Sequence, residues 1–450
     1  CLQIVALCKA VTCTPLAMSV PVLTLGGAVV TTLDVTPSSK LEDFCAQFRD
    51  AVGPRLGNIT GAADLRPHLF HGGVELLPGS QLASAGVKEG SPLTFVVTAA
   101  SRVVSASGDG TAKIWNPETG DCLQTLGTVG WEKRVTLQGR TLKTGREMIS
   151  AAFSPDGSLV LSGSVDCTAK IWDVQSGETV HTLHGHRRRL RSAAFSPDGM
   201  LAVTASDDLT AKIWSVESGE CLQTLKGHGS EVSSAMFSAD GALVLTASPD
   251  RTAKIWCAPS GKCLHTLKGH RWEVISAVFS PDGKSVLTTS EDRTAKIWDV
   301  ESGECLRTLK ALGPRFLSAV FSPDGTLVIT ASLNPVAQIW RVDSGKCVHT
   351  LRGHQNSVHS AAFSPDCKRV ITASLDTNAK IWSVESGECL HTLGSHSAAV
   401  RSASFSPDGT RVLTASDDHT ARTWCVETGE CLHALVGHQD VLHAAAFMAH

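Results

Sequence analysis

The stretch "EDRTAKIWDVESGECLRTL" (Glu291–Leu309) decides how the chain is read. An acidic turn leads into an alternating run, Thr294–Trp298, that closes on a tryptophan. A turn around Gly303 then leads to a second short run, Cys305–Leu309. Nearly the same wording returns as "DDLTAKIWSVESGECLQTL" (Asp207–Leu225) and "DTNAKIWSVESGECLHTL" (Asp376–Leu393). The closing tryptophan recurs at Trp115, Trp172, Trp214, Trp256, Trp298, Trp340, Trp382 and Trp424, 42 residues apart after a first step of 57. Each unit decodes into four short strands, as in Val274–Phe279, Ser285–Ser290, Thr294–Trp298 and Cys305–Leu309. Runs of five or six residues broken by Gly, Pro, Asp and Ser are the signature of a β-meander. So narrow a sheet has two apolar faces. Setting such sheets side by side in a ring buries both.

Units of this length and wording resemble those of the WD-repeat β-propeller family, over 102–448. The Gly-His pair that opens a repeat stands at His186, His228, His270, His354 and His438, with Ser395-His396 as a variant. The turn aspartate stands at Asp109, Asp166, Asp208, Asp250, Asp292, Asp376 and Asp418. The resemblance implies that His, turn Asp, a strand Ser or Thr and the Trp form a buried hydrogen-bonded set. That set would brace each blade by about 1–3 kcal/mol, so these residues are read as structural. The unit Leu312–Gly345 departs from the pattern: Ala311–Gly313 replaces Lys-Gly-His and Asn334 replaces the aspartate. Its bracing should be weaker. Third strands end at eight tryptophans and first strands at eight phenylalanines, Phe153 through Phe447. The earliest unit lacks a first strand of its own, and Leu442–Phe447 has no followers. Pairing 442–447 with 102–126 closes a ring of eight blades; seven blades with loose ends is the alternative.

Residues 1–19 carry no assignable element, and the chain opens on Cys1 rather than Met, so a piece of a longer sequence is expected. Residues 20–97 use a different grammar. Val20–Leu25 and Val29–Val35 read as a hairpin. Ser39 and Glu42 form a capping-box signal, followed by Leu41, Phe44, Cys45, Phe48 and Val52 on one helical face. "LFHGG" and a final strand "LTFVV" complete a pattern that resembles ubiquitin-like domains. The expected fold is therefore mainly β: an eight-bladed WD-repeat β-propeller preceded by a small α+β ubiquitin-like (β-grasp) domain. By that resemblance, the apolar strand that ubiquitin shows to partners maps near Leu69. Leu93–Val97 either ends this domain or supplies the first blade's missing strand; the C-terminal strand is preferred for the latter role because it carries the phenylalanine.

A net charge of −3 argues against a surface wholly devoted to nucleic acid or anionic membrane. No apolar run reaches the length of a spanning helix, so no membrane association is expected. Of 15 cysteines, seven share one repeat slot: Cys122, Cys221, Cys263, Cys305, Cys347, Cys389 and Cys431. Equivalent positions on successive blades lie too far apart to bridge. They read as small buried residues in a reducing compartment, cytoplasmic or nuclear. Repeated Cys-x-His pairs such as Cys263/His265 put two candidate ligands on one strand face, but two ligands do not make a structural zinc site. No metal or cofactor is expected. Every Ser, His and Asp that could suggest a hydrolase sits in a repeat slot, and no phosphate or dinucleotide fingerprint appears. An enzyme is not expected.

Charge and aromatics outside the repeat grid are the candidate function. The insertion within Gly127–Arg146 holds Lys133, Arg134, Arg140, Lys143 and Arg146, and the next equivalent loop holds Arg187, Arg188, Arg189 and Arg191. Both loops should emerge on one rim, one blade apart. Trp272 lies outside the strand slot, and exposed Trp and Arg are enriched in binding hot spots. The expectation is a non-catalytic scaffold, monomeric by itself, that docks acidic or phosphorylated protein partners on this corner. The ubiquitin-like segment would connect it to ubiquitin-handling machinery. Binding of RNA or another nucleic acid through the same corner is the alternative.

Overall fold

The computed structural model describes residues 101–127, 147–310, 313 and 315–448 in full. It describes backbone strands at Met18–Leu23, Val29–Val35, Leu65–His71, Val74–Glu75, Leu93–Ala99, Lys133–Leu137 and Arg140–Thr144. The chain divides into two compact units, one on Cys1–Ser101 and one on Arg102–Ala449.

The second unit contains eight four-stranded antiparallel sheets. Seven take consecutive strands in chain order, with first strands Met148–Phe153, Leu190–Phe195, Ser234–Phe237, Val274–Phe279, Phe316–Phe321, Val358–Phe363 and Val400–Phe405. These are blades 2 to 8. Blade 1 is composite: Leu442–Phe447 pairs with Val103–Ser107, which continues into Ala112–Trp115 and Cys122–Leu126. The seam ends with the Met448 amide donating to the Arg102 carbonyl at 2.8 Å. First strands of neighbouring blades lie against one another all the way round, and the first strand of blade 2 returns to that of blade 1. The result is a closed eight-bladed propeller.

Burial explains the closure. Second strands such as Leu201–Ser206 are buried almost end to end, so both faces of each blade are covered. Eight apolar clusters each span two neighbouring blades. One joins Leu287, Ile297 and Leu309 of blade 5 to Phe316, Val328 and Trp340 of blade 6. Another closes the ring by joining Leu413 and Leu435 of blade 8 to Leu442, Val103 and Trp115 of blade 1. Hydrogen bonds from the outermost strands reinforce the packing. Gln124 donates to the Ser176 carbonyl, Gln223 to Pro259, and Arg307 to Asp343, each on the next blade.

The repeated cysteines correct the sequence reading. They are not buried: Cys122, Cys221, Cys305, Cys347, Cys389 and Cys431 are exposed, and Cys263 is half-buried. Each opens the outermost strand of its blade, where no further layer covers it. At Cys221 the thiol lies 3.8 Å from Thr224 Oγ1, three residues on, and 3.9 Å from Lys212 Nζ of the adjacent strand. All the described cysteines are free.

In the first unit, Met18–Leu23 pairs with Val29–Val35, and Leu65–His71 lies between Val74–Glu75 and Leu93–Ala99. Leu93–Ala99 therefore belongs to this sheet. The capping-box segment from Ser39 lies outside the described residues, as do residues 1–17. Among the described residues no helix is long and apolar enough to cross a membrane.

Candidate partner-binding rim

In six blades the rim begins with an internal brace. In blade 3, Trp214 Nε1 donates to Thr204 Oγ1 at 2.8 Å, Thr204 lies 2.8 Å from His186 Nε2, and His186 Nδ1 lies 2.8 Å from Asp208 Oδ2. With the imidazole neutral, the donors line up in one way, because the carboxylate can only accept. The Trp proton occupies a threonine lone pair, the threonine proton goes to Nε2, and the remaining imidazole proton goes to the carboxylate. The same set recurs around His228, His270, His354 and His396, with Asp250, Asp292, Asp376 and Asp418. In blade 1 it crosses the seam: His438 reaches Asp109 at 2.9 Å and Ser105 at 2.7 Å, and Trp115 donates to Ser105. Each of these aspartates also accepts the amide after its histidine, Arg187 and Arg271 among them. Burial lowers the pKa of His186, His270, His354 and His396 despite the facing carboxylates. Burial works against the charge of Asp418, yet hydrogen bonds from Thr420 and His396 hold it at about 2.

Two blades lack the full brace. Blade 2 keeps Trp172 on Ser162 at 2.8 Å, with Asp166 bonded to Thr168. Blade 6 keeps Trp340 on Thr330 at 3.0 Å, and Gly313 sits against the Asn334 side chain, where a Cβ would collide.

The braces lock the loops that enter each first strand and the turns that join second to third strands. These share one rim. The basic loop of blade 3 lies there, with Arg187, Arg188, Arg189 and Arg191 all exposed. Its charge is smaller than the sequence suggests. Asp207 takes Arg189 Nε and Arg191 Nε at 2.5 Å each, and Arg191 also approaches Glu231 at 3.9 Å. Burial opposes the charge on Asp207, but the two arginines hold its carboxyl below the usual range. Arg187 and Arg188 keep their charge toward solvent, without an ion pair among the described residues. The side chains of Lys133, Arg134, Arg140, Lys143 and Arg146 fall outside the described residues; the backbone there forms a hairpin, Lys133–Leu137 with Arg140–Thr144. The side chain of Leu69 is likewise outside them.

Trp272 is 64% exposed, in the loop entering blade 5. On the same rim the structure exposes residues that the sequence reading passed over: Arg271 next to it in the chain, and Arg251 and Arg293 in the turns of blades 4 and 5. The last two hold left-handed backbone, φ 72° and 67°, directly after the turn aspartate. That slot projects from the rim. Aligning the units at 42 residues places a variable residue in it (Leu209, Arg251, Arg293, Thr377, His419), which was the available signal. Among the described residues no cluster of three or more His, Cys, Asp or Glu could hold a metal ion.

Eight segments match the family described as "WD domain, G-beta repeat": 89–116, 133–173, 177–215, 219–257, 261–299, 303–341, 345–383 and 387–425, more than half of the chain. Curated relatives match over single units or pairs. A probable serine/threonine-protein kinase, PkwA, of Thermomonospora curvata is 53% identical over 47 residues, which is 10% of this chain and 6% of that protein. Dynein assembly factor with WD repeat domains 1 of Danio rerio is 52% identical over 40 residues, 9% of this chain and 10% of that one. Nuclear distribution protein nudF of Aspergillus oryzae is 46% identical over 52 residues, 11% of each. The chain thus spans about a tenth or less of the length of these relatives.

Proposed function

The chain belongs to the WD-repeat family, and from that premise we propose that it is a non-catalytic scaffold whose rim at blades 3 to 5 docks acidic or phosphorylated segments of protein partners. The observation that carries this reading is Trp272, 64% exposed on a braced blade, with exposed Arg271 next to it in sequence and exposed Arg251 and Arg293 in turns of the same rim. An aromatic plane beside guanidinium groups suits a partner that brings both an apolar contact and negative charge. Asp207 narrows the basic corner of blade 3 to Arg187 and Arg188, which weighs against the nucleic-acid alternative. The relatives' names refer to assembly and distribution as well as to a kinase; the kinase match is confined to 6% of that protein.

Affinity capture from lysate tests the proposal. The intact chain is compared with an Arg187→Glu, Arg188→Glu, Arg271→Glu variant and with Trp272→Ala. Loss of the same partners from both supports the rim. An unchanged set of partners overturns it. A link from segment 20–97 to ubiquitin-handling machinery rests on its sequence resemblance; deleting 1–97 should then remove ubiquitin-system proteins from the captured set and leave the rim's partners. Free thiols throughout the described residues support a reducing compartment, cytoplasmic or nuclear, which a fluorescent fusion of the chain would check.

A further inference from the structure

Blade 2 keeps every member of the brace except the histidine: Trp172, Ser162, Asp166 and Thr168 are all in place. In the six braced blades the histidine stands three residues after the last leucine of the preceding outermost strand, as in Leu183 and His186 or Leu225 and His228. After Leu126 that position is Val129, and the insertion through Arg146 contains no histidine. Blade 6 also lacks the histidine, but there Asn334 has replaced the aspartate too. In blade 2 the four remaining brace residues line a cleft of about 300 Å³ between blades 1 and 2, with Gly127 and Lys170 also on its walls.

The rest of the ring shows six times over what fits against such a wall. In blade 3 the Thr204 hydroxyl and the Asp208 carboxylate hold the His186 ring from either side, each at 2.8 Å. In blade 2 the equivalent hydroxyl, Ser162, accepts from Trp172 at 2.8 Å, and among the described residues it gives its own proton to no acceptor. Asp166 takes the amide and the hydroxyl of Thr168 on one oxygen, at 3.0 and 2.6 Å. A carboxylate offers about four acceptor positions, so it can receive an imidazole N–H in addition. Trp172 registers the same difference. It is 5% exposed, against 1–2% for the tryptophans of the six braced blades. Lys170 Nζ lies over its ring, 5.2 Å from the centroid, whereas Lys212 and Lys254 bond a threonine of the outermost strand. The residue before each histidine adds a limit on size. A Cβ on Gly185 would lie 3.3 Å from the Trp214 ring, and one on Gly269 3.2 Å from Trp298. Serine is the one replacement, at Ser395.

We propose that this cleft is a docking site for a histidine that a protein partner presents on a Gly-His segment, completing the brace of blade 2 from outside the chain. The neutral imidazole takes the Ser162 proton on one nitrogen and gives its own N–H to Asp166, while the glycine passes the edge of Trp172. The site uses none of the residues of the basic rim and selects for an imidazole rather than for charge.

The test uses the full chain and a fluorescein-labelled peptide, Thr-Leu-Lys-Gly-His-Gly-Ser, which copies Thr224–Ser230, read by anisotropy. Saturable binding is expected. It should weaken by about tenfold or more when the peptide's histidine becomes glutamine or its glycine becomes leucine, and equally in Ser162→Ala or Asp166→Asn. Arg187→Glu with Arg188→Glu, and Trp272→Ala, should leave it unchanged, so that failure here and failure of the rim proposal stay distinct. Should Ser162→Ala not fold, a photoactivatable diazirine on the residue after the peptide's histidine gives the answer in the unaltered chain: insertion within Ser162–Trp172 supports the site. No binding, insertion elsewhere, equal binding of the glutamine peptide, or equal binding to Ser162→Ala overturns it. Free imidazole binding as tightly as the peptide would overturn the partner segment and leave the cleft to a small imidazole compound.

Discussion

At the scale of single residues, the brace is a proton ledger with no spare entries. His354 Nε2 takes the Thr372 proton and Nδ1 faces Asp376 at 2.8 Å, so removing the imidazole strands both neighbours at once. His354→Ala should therefore destabilise the propeller by about 2–4 kcal/mol, measured by denaturant unfolding. Loss below about 0.5 kcal/mol would mean that the brace is ornamental. The same groups set a pH dependence. His186, His270, His354 and His396 are buried with pKa values below the ordinary 6.5. The unfolded chain accordingly binds their protons first. Stability is full above about pH 6.5 and falls as pH drops through and below that value. The turn aspartates that face a histidine, held low, add a second loss from about pH 4 downward, reaching to about 2 for Asp418. A Tm that is flat above neutrality and declines in these two stages is the expected profile; a Tm that rises between pH 7 and 5 would contradict it.

At the scale of strands and turns, the repeated wording was legible because each word is a local instruction. Alternation made strands of Ser285–Ser290 and Thr294–Asp299, and Ser-Pro-Asp-Gly made the hairpins between first and second strands. What alternation could not say was which strand lies outermost. It assigns residues to faces, not to layers, and so Cys305 and its equivalents were read as buried although the edge strand leaves them in solvent. The turn slot offers a direct test of local strain. The glycines at 157, 199, 241, 283, 325 and 409 hold φ between 70° and 73°, and Cys367 holds the same place at 59°. A side chain there strains the backbone. Cys367→Gly should raise stability by about 1 kcal/mol despite glycine's freer unfolded state, and chemical denaturation of the two chains would show it. A neutral or negative result would mean that the contact of the Cys367 thiol with Asp324 of blade 6 offsets the strain.

At the scale of the whole molecule, the number of blades followed from counting orphaned strands, since an unpaired first strand at one end and an unfollowed one at the other have a common solution. The charge on the rim was not legible in this way. Asp207 reaches Arg189 and Arg191 only after blade 3 has folded its turn against its entering loop, across 18 and 16 residues of sequence. Arg251, Arg271 and Trp272 likewise come from two blades. Closure also predicts a shared fate. Leu442 is fully buried in the cluster that joins blade 8 to blade 1. Ending the chain at Gln439 should abolish the single cooperative unfolding transition in calorimetry and expose hydrophobic dye-binding surface. Retention of one sharp transition would show that the ring does not depend on its seam.

The seam also sets how the ring answers force. Leu442–Phe447 and Val103–Ser107 run antiparallel, so Arg102 and Met448 leave from the same end of the pair. A pull applied between those two points loads the rungs one after another, from Phe447–Val103 toward Leu442–Ser107, as when tape is lifted from its corner. Tension between opposite ends of neighbouring strands must instead break several rungs in concert, so a tether fixed at Arg102 and Met448 would open the propeller at the join before it sheared a blade.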